Sequence, residues 1–302
     1  MAVAPRNYLT FSRKLRYGAE AALFFLLMGL FRLFSLDAAS CLGGWIGRNI
    51  FSRLPPNRTA RTNLKAAFPE KTEAEIQAIL TGMWDNLGRT VAEYPHLKKF
   101  DRMGPGTRTE LDGAEYVDAA RDAGQGAMFL SGHLANWEMM PMLGELLGLD
   151  GATVVRHPNN PYVARWIARQ RGLRGPKDQI GKHSGARRIF AQLRTGKVIY
   201  MLVDQRNDEG IAVDFFGRPA PTTLVPAALA IKTGARIFIA GNRRKGRSAR
   251  FEVTVRPGPE FTPSGDTEAD TRMLTERITA QVEAIIRSDP SQWLWIHRRW
   301  GR

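Results

Sequence analysis

The chain has 302 residues, of which 43% are hydrophobic and 24% charged, a balance typical of a folded globular protein with a sizeable core. Its formal net charge of +15 comes mainly from arginine, with 34 arginines and 10 lysines. Such a field attracts polyanions such as nucleic acid, anionic lipid headgroups and acidic proteins, although a bias towards arginine is the simpler alternative. The single cysteine, Cys41, excludes an internal disulfide and a cluster of thiolate metal ligands.

An apolar stretch near the N-terminus predicts a membrane-associating helix. Residues 21–31 read AALFFLLMGLF and are too few to cross a bilayer, which needs roughly 20 residues. If Arg32 extends its charge back to the surface, residues 19–36 just reach that length. A signal peptide is disfavoured by a poor cleavage site. We expect an uncleaved helix that dips into or spans the bilayer, within a segment of residues 1–54; a buried core helix is the alternative.

Residues 55–302 form the second predicted segment, in which helical and strand-like patterns alternate. Thr72 and Glu75 have the spacing of a capping box and begin a predicted helix over 72–94. The predicted strands are 127–131, 152–155, 198–203, 236–241 and 251–255, and the later predicted helices are 135–147, 161–171, 185–194, 223–233 and 267–287. This alternation indicates an α/β sheet covered by helices.

The stretch FLSGHLANWEMMP, residues 129–141, places His133 after a predicted buried strand and Glu138 five residues later. The spacing alone is weak, because about half a match is expected by chance, and His96 with Asp101 is a second match. Only His133 follows a strand and precedes a helix, where catalytic groups gather in α/β sheets. There a carboxylate could hold the imidazole in one tautomer while the ring abstracts a proton. A buried histidine with a satisfied hydrogen bond is the alternative.

Other catalytic arrangements have less support in the sequence. Ser131 lies two residues before His133 and permits a Ser/His/Glu triad, but the G-x-S-x-G elbow is absent. The histidines are scattered, and the sequence contains no H-E-x-x-H, Walker loop or complete G-x-G-x-x-G. We therefore predict neither a metal nor a cofactor.

The stretch SGHLANWE resembles the H-x4-D/E signature of glycerolipid-type acyltransferases. Further stretches resemble the late lauroyl and myristoyl acyltransferases of lipid A biosynthesis, which belong to Gram-negative inner membranes. These stretches are RTNLKAAFP (61–69), VVRHPNNP (154–161), VDQRNDEGIAVDFFGRPAPTT (203–223) and PSQWLWIHRRW (290–300). The resemblance extends over roughly residues 45–302. It implies a mixed, mostly parallel central sheet flanked by helices, with a catalytic domain over residues 55–302.

The resemblance also implies a reaction. The family moves an acyl chain from acyl carrier protein to a hydroxyl of a lipid A precursor. Carried over to this chain, His133 would be the general base on the acceptor hydroxyl and Glu138 its orienter. The alkoxide would attack the thioester directly, so no covalent enzyme intermediate is needed.

Three arginines and one aspartate complete the implied site. The family has an arginine about 33 positions after the glutamate, which falls on Arg171, with Arg174 as a near rival for donating to the oxyanion. Arg156 would contact the substrate before the PNNP turn. Asp204 matches the first aspartate of a D-x-D-x-G-like stretch and joins the substrate-binding residues, but the second aspartate is absent because Arg206 stands there. In WLWIHRR the tryptophans are expected to serve packing.

The implied partners are acyl carrier protein, the lipid A precursor and anionic inner-membrane lipids, with the catalytic domain at the cytoplasmic face. A basic surface would favour all three encounters, and arginine suits phosphate. An acyltransferase of the same fold that acts on a phosphatidylinositol mannoside or an aminolipid is one alternative. A non-catalytic membrane- or nucleic-acid-binding protein is another, but no nucleic-acid-binding module is visible, so we predict no nucleic acid partner.

Overall fold

The computed structural model describes residues 10–171, 179–181 and 185–301. The helices are α1 (Phe11–Arg32), α2 (Leu36–Asn49), α3 (Pro56–Ala67), α4 (Glu73–Glu93), α5 (Ala114–Asp122), α6 (Met139–Leu146), α7 (Pro161–Gln170), α8 (Ala186–Arg194), α9 (Val225–Thr233) and α10 (Thr267–Ser288). The strands are β1 (Thr109–Asp112), β2 (Ala127–Ser131), β3 (Gly151–Val155), β4 (Gln179–Gly181), β5 (Val198–Leu202), β6 (Ile211–Asp214), β7 (Pro219–Thr222), β8 (Arg236–Arg244) and β9 (Phe251–Pro257). Short 3-10 turns lie at Phe51–Arg53, Tyr94–Lys99 and Pro290–Gln292.

Within the described residues, the central sheet has seven strands in the order β1-β9-β8-β2-β5-β3-β4. The strands from β8 to β4 run parallel to one another, whereas β9 is antiparallel to β8 and parallel to β1. A separate antiparallel hairpin is formed by β6 and β7. The predicted mixed, mostly parallel α/β sheet flanked by helices is confirmed.

Alternating side chains of the central strands build two apolar layers. Met128 and Leu130 of β2 join a cluster with residues of α9 and α10, on one face of the sheet. Ala127 and Phe129 join a second cluster with residues of α5, on the other face. Because successive strand residues point to opposite faces, a strand buried on both sides reads as the continuous apolar run seen in the sequence.

The sheet brings several strand ends to one edge. The register pairs Ser131 with Leu202, so the loops after β2 and β5 leave the sheet side by side. Thr153 of β3 pairs with Tyr200 of β5, which places the end of β3 on the other side of β5. Side chains just beyond these strands can therefore meet, as expected for parallel strands.

The predicted elements are found with small shifts at their ends. The capping box of α4 is present, with Glu75 N donating to Thr72 Oγ1 and Thr72 N donating to Glu75 Oε2 at 2.8 Å. The predicted helix over 135–147 begins only at Met139, because Ala135 has a positive φ of 45° that a helix does not accommodate. Glu138 therefore lies just before the helix.

The N-terminal segment forms two helices that pack on the rest of the chain. The apolar run lies in α1, which is held by Asn160 Nδ2 donating to Tyr17 O at 2.8 Å and by His96 Nε2, 3.0 Å from Phe31 O. In the described part of the chain, none of the helices combines the length and apolar character that crossing a membrane requires. The membrane role of α1, and a boundary after residue 54, stay predictions.

Candidate active site

The site is built around His133, in the loop that follows β2. The carboxylate of Asp204, just after β5, holds this residue at two points: His133 N donates to Oδ2 at 2.7 Å, and the imidazole Nδ1 lies 2.8 Å from Oδ1. The indole Nε1 of Trp293 donates to the same Oδ2 at 2.6 Å. Asp204 is buried, so its carboxylate is satisfied by these contacts rather than by water.

The charge on Asp204 fixes the tautomer of His133. Burial opposes ionisation of Asp204, but the imidazole, the backbone N–H and the indole hold the pKa of the carboxyl below its usual range. An ionised carboxylate only accepts hydrogen bonds, so Nδ1 of His133 carries the hydrogen and Nε2 has the free lone pair. A neutral imidazole with its Nε2 lone pair available is the form that a general base requires.

The C-terminal segment, residues 290–300, packs against the histidine loop, residues 132–138, which joins β2 to α6. Leu294 N donates to His133 O at 3.2 Å, and Ala135 N donates to Gln292 O at 2.9 Å. Asn63 of α3 fixes the segment in turn by donating to Trp295 O and to His297 O at 2.8 and 2.7 Å. Residues distant in sequence thus hold the backbone on both sides of the catalytic candidate.

The positive φ of Ala135 is supported by side chains of α4. Asn86 Nδ2 and Thr90 Oγ1 both donate to Ala135 O, each at 3.0 Å. A non-glycine residue in this conformation costs of order 1 kcal/mol, and such strain persists where the surroundings enforce it. The turn directs His133 towards Asp204 and Glu138 away from it.

Glu138 is not the hydrogen-bond partner of His133, which corrects the expected orienter. Its carboxylate accepts from Arg171 Nε at 2.6 Å and Nη2 at 2.9 Å, and from Tyr94 Oη at 2.7 Å. Burial is the main cause that raises the pKa of the Tyr94 hydroxyl, and the Glu138 charge raises it further, so this phenol stays a donor. Asp204 occupies the hydrogen-bonding position beside His133 that was expected of Glu138, because the turn at Ala135 separates the two motif residues.

The expected substrate-binding residues have different positions. Asp204 is buried, and its carboxylate accepts hydrogen bonds from His133. Arg171 is mostly buried. Burial lowers the pKa of its guanidinium, but the charge and hydrogen bonds of Glu138, together with Tyr94, outweigh burial and raise that pKa above its usual value. Arg156 is exposed just beyond β3. Arg174 lies outside the described residues.

Two residues that the sequence interpretation missed complete the site. Gln205 Nε2 lies 3.1 Å from His133 Nε2 and 2.8 Å from His297 Nε2. Burial is the main cause that lowers the pKa of His297 to about 4, and charge repulsion from the nearby His133 ring adds to it. Arg156 contributes to the same lowering, which places its charge near His297. Both residues lie in the stretches that carried the family resemblance, but only contact in the fold associates them with His133.

The described residues favour a base over a nucleophile. Ser131 is buried, and its Oγ donates to Gly132 O at 3.4 Å, with no hydrogen bond to the His133 ring in the described part of the chain. No group of His, Cys, Asp and Glu suited to holding a metal ion occurs within residues 10–171, 179–181 and 185–301. The Nε2 lone pair of His133, on the side of the ring away from Asp204, suits proton abstraction from a hydroxyl that enters the site.

Comparison with known proteins gives a consistent result. Residues 8–302 match the sequence profile of the family described as bacterial lipid A biosynthesis acyltransferase. A lipid A biosynthesis acyltransferase of Haemophilus influenzae is 22% identical over 285 residues, 93% of this chain and 86% of that protein. A phosphatidylinositol mannoside acyltransferase of Mycobacterium tuberculosis is 28% identical over 263 residues, 84% of this chain and 80% of that protein. A lipid A biosynthesis myristoyltransferase of Escherichia coli is 27% identical over 247 residues, 79% and 73% of the two chains.

Proposed function

The chain belongs to the bacterial lipid A biosynthesis acyltransferase family, and from this premise we propose that it moves a fatty acyl chain from acyl carrier protein to a hydroxyl of a lipid A precursor. The family and its relatives are acyltransferases, and the relatives' names place their acceptors among membrane lipids. We propose the acyl donor, the acceptor lipid and the roles of the individual residues.

The proposed chemistry begins at His133 Nε2. This atom takes the proton of the acceptor hydroxyl while the hydroxyl oxygen attacks the thioester carbonyl carbon. The tetrahedral intermediate collapses, the C–S bond breaks, and the leaving thiolate receives the proton from the imidazolium. Asp204 stabilises that imidazolium and keeps the ring in the reactive tautomer, as the carboxylate does in a catalytic triad.

The observation that carries this proposal is the paired contact between His133 and Asp204. Both carboxylate oxygens are committed, one to the ring at 2.8 Å and the other to the backbone N–H at 2.7 Å. A histidine held this way at the carboxyl edge of a parallel sheet, without a bonded serine, suits direct transfer between two bound substrates.

We propose that Glu138 and Arg171 act as a positioning pair. Glu138 accepts two hydrogen bonds from the Arg171 guanidinium and a third from Tyr94, which connects the histidine loop to the end of α7 and to the end of α4. Arg156 is proposed to contact a phosphate of the acceptor, because it is an exposed cation whose charge reaches His297.

A membrane location is proposed from the exposed face of α1. Five large apolar side chains on this helix are between 43% and 82% exposed, and their spacing places them on one face: Phe11, Leu15, Leu23, Leu26 and Leu30. Arg13, Lys14 and Arg16 lie in the first two turns. Such a helix suits the interface of an anionic leaflet, and we propose the cytoplasmic face of the inner membrane.

Reconstitution tests the proposed function. The purified protein is incubated in anionic detergent micelles with acyl carrier protein thioester and a lipid A precursor, and product is detected by mass spectrometry. We expect one added acyl chain with the protein and none with His133→Ala. Absence of product with the folded protein would contradict the proposed function.

A second acceptor class follows from the 28% identity to the phosphatidylinositol mannoside acyltransferase. The proposed base would be the same, and only the acceptor pocket would differ. Offering both acceptors in one reaction discriminates the two functions: we expect the lipid A precursor to be acylated faster. Preference for the mannoside would favour the alternative.

A further inference from the structure

The side-chain amide of Gln205 lies between the two imidazoles of the site. Its nitrogen is 2.8 Å from His297 Nε2, and it is 3.1 Å from Nε2 and 3.4 Å from Nδ1 of His133. Similar distances to both nitrogens of one ring place the amide against the face of the His133 imidazole, beside the Nε2 lone pair rather than on it. Gln205 follows Asp204 directly in the chain, so the end of β5 sets both the carboxylate partner of His133 and the amide beside its other nitrogen.

The amide nitrogen of Gln205 contacts His297. His297 is neutral at pH 7, because its burial lowers its pKa to about 4, so its Nε2 can accept a hydrogen bond. An amide nitrogen carries two N–H groups, so Gln205 can use one on His297 and keep the other for a group that enters beside the His133 ring.

We propose that Gln205 is a further catalytic residue, whose amide N–H donates to the oxyanion of the tetrahedral intermediate, and that His297 is the positioning residue that holds the amide by its other N–H. This inference rests on the acyl transfer proposed above.

The position of the amide supports this role. An acceptor hydroxyl must reach His133 Nε2 to lose its proton, and its oxygen then bonds to the same carbon that carries the oxyanion. The oxyanion therefore forms within a few ångström of Nε2, the region that the Gln205 nitrogen already occupies.

The donated hydrogen bond forms during the reaction. In the ground state the second N–H of Gln205 lies against the His133 ring and leaves the Nε2 lone pair to the hydroxyl. This N–H gains a charged acceptor when the oxyanion forms. An interaction that is stronger in the transition state than before it raises kcat rather than lowering KM.

The donor expected from the sequence, Arg171, is engaged elsewhere. Its Nε and Nη2 atoms donate to Glu138. Gln205, by contrast, is in direct contact with the ring nitrogen that would take the proton.

His297 is built to hold the amide without adding charge. Its backbone carbonyl accepts from Asn63 Nδ2 at 2.7 Å, and its imidazole is largely buried. A protonated His297 would lose the lone pair that accepts from Gln205 and would repel the His133 imidazolium.

Steady-state kinetics with acyl carrier protein thioester and the lipid A precursor test the role of Gln205. We expect Gln205→Ala to lower kcat about 10²–10³-fold, the usual effect of removing one oxyanion donor, with KM for the acceptor nearly unchanged. Gln205→Glu keeps the size but replaces the donor by an anion, so it should lose at least as much. Gln192→Ala, a half-exposed glutamine on α8, is the matched control and should match the unmodified protein.

The positioning role of His297 has its own readout. His297→Gln retains an acceptor atom near the position of Nε2, whereas His297→Leu does not. We expect His297→Gln to keep kcat within about tenfold and His297→Leu to approach Gln205→Ala, and the double variant Gln205→Ala/His297→Leu to be no worse than Gln205→Ala alone.

The outcomes separate this inference from the proposed function. Suppose that the unmodified protein transfers acyl chains and that His133→Ala does not. A kcat within threefold of normal for Gln205→Ala or Gln205→Glu would then overturn the oxyanion role of Gln205 and leave the proposed function standing. Equal kcat values for His297→Gln and His297→Leu would overturn the positioning role. An unmodified protein that transfers no acyl chain overturns the proposed function itself.

Discussion

Glu138 and Arg171 form a buried ion pair beside the histidine loop. The Glu138 side chain is 2% exposed and that of Arg171 13%. Removing the arginine leaves an unpaired carboxylate in a site that water barely reaches, which is more costly than losing the whole pair. The pair therefore matters to the structure of the site whatever it contributes to the chemistry.

We expect Arg171→Ala to lower the free energy of unfolding by about 3–5 kcal/mol, measured by urea denaturation. The double variant Glu138→Gln/Arg171→Met should regain much of that loss, because it leaves no buried charge. A double variant as unstable as Arg171→Ala would contradict this explanation.

The sequence assigned His133 the wrong hydrogen-bond partner, whereas its role as the base stays a proposal. Spacing along the chain pointed to Glu138, five residues away. Asp204 is 71 residues from His133, and only the pairing of β2 with β5 brings them together. Gln205 and His297 were missed for the same reason, since contacts between strand ends leave no local pattern.

At the scale of elements, α2 and α4 pack with their backbones in close contact. A Cβ at Gly47 would lie 1.9 Å from Trp84 O, and one at Gly88 would lie 2.0 Å from Gly43 O. Glycine at these positions lets the two helix backbones touch, and α4 in turn supports the turn at Ala135.

We expect Gly47→Ala to cost about 1–3 kcal/mol of unfolding free energy, because the added methyl group must push the two helices apart. Gly18→Ala on α1 is the matched control: nothing lies within 4 Å of a Cβ there, so better helix propensity should leave stability unchanged or raise it by about 0.5–1 kcal/mol. Equal thermal midpoints for Gly47→Ala and the unmodified protein would contradict the packing argument.

The elements predicted from sequence were those with long or continuous patterns. Strands β2, β3, β5, β8 and β9 were each predicted. Burial on both faces produces uninterrupted apolar runs in β2 and β5, whereas β9 alternates between buried and partly exposed residues. The hairpin of β6 and β7 was missed, since its strands are four residues long and β7 begins with a proline. The late start of α6 depends on Ala135, whose positive φ has no signature in the amino acid itself.

At the scale of the whole molecule, charge and exposed apolar surface support the proposed membrane association. The net charge of +15 attracts anionic lipid, and the apolar face of α1 supplies a surface that can insert. Both contributions are needed for stable binding by an interfacial helix.

We expect the protein to bind phosphatidylglycerol vesicles more strongly than phosphatidylcholine vesicles, with binding that weakens as salt increases. The double variant Leu23→Glu/Leu26→Glu should reduce vesicle partitioning more than about tenfold, because two leucines no longer bury apolar area. Phe190→Glu, an exposed aromatic on α8, is the matched control and should bind normally. Equal vesicle binding by the double variant and the control would contradict the proposed membrane contact of α1.

The most direct test of the central claim compares kcat for His133→Ala, Asp204→Asn and the double variant in the acyl transfer assay. If the two side chains act as one unit, Asp204→Asn should lose about 10³–10⁴-fold through the wrong tautomer, and the double variant should be no slower than His133→Ala alone. Near-normal turnover by Asp204→Asn, or losses that multiply in the double variant, would contradict the account.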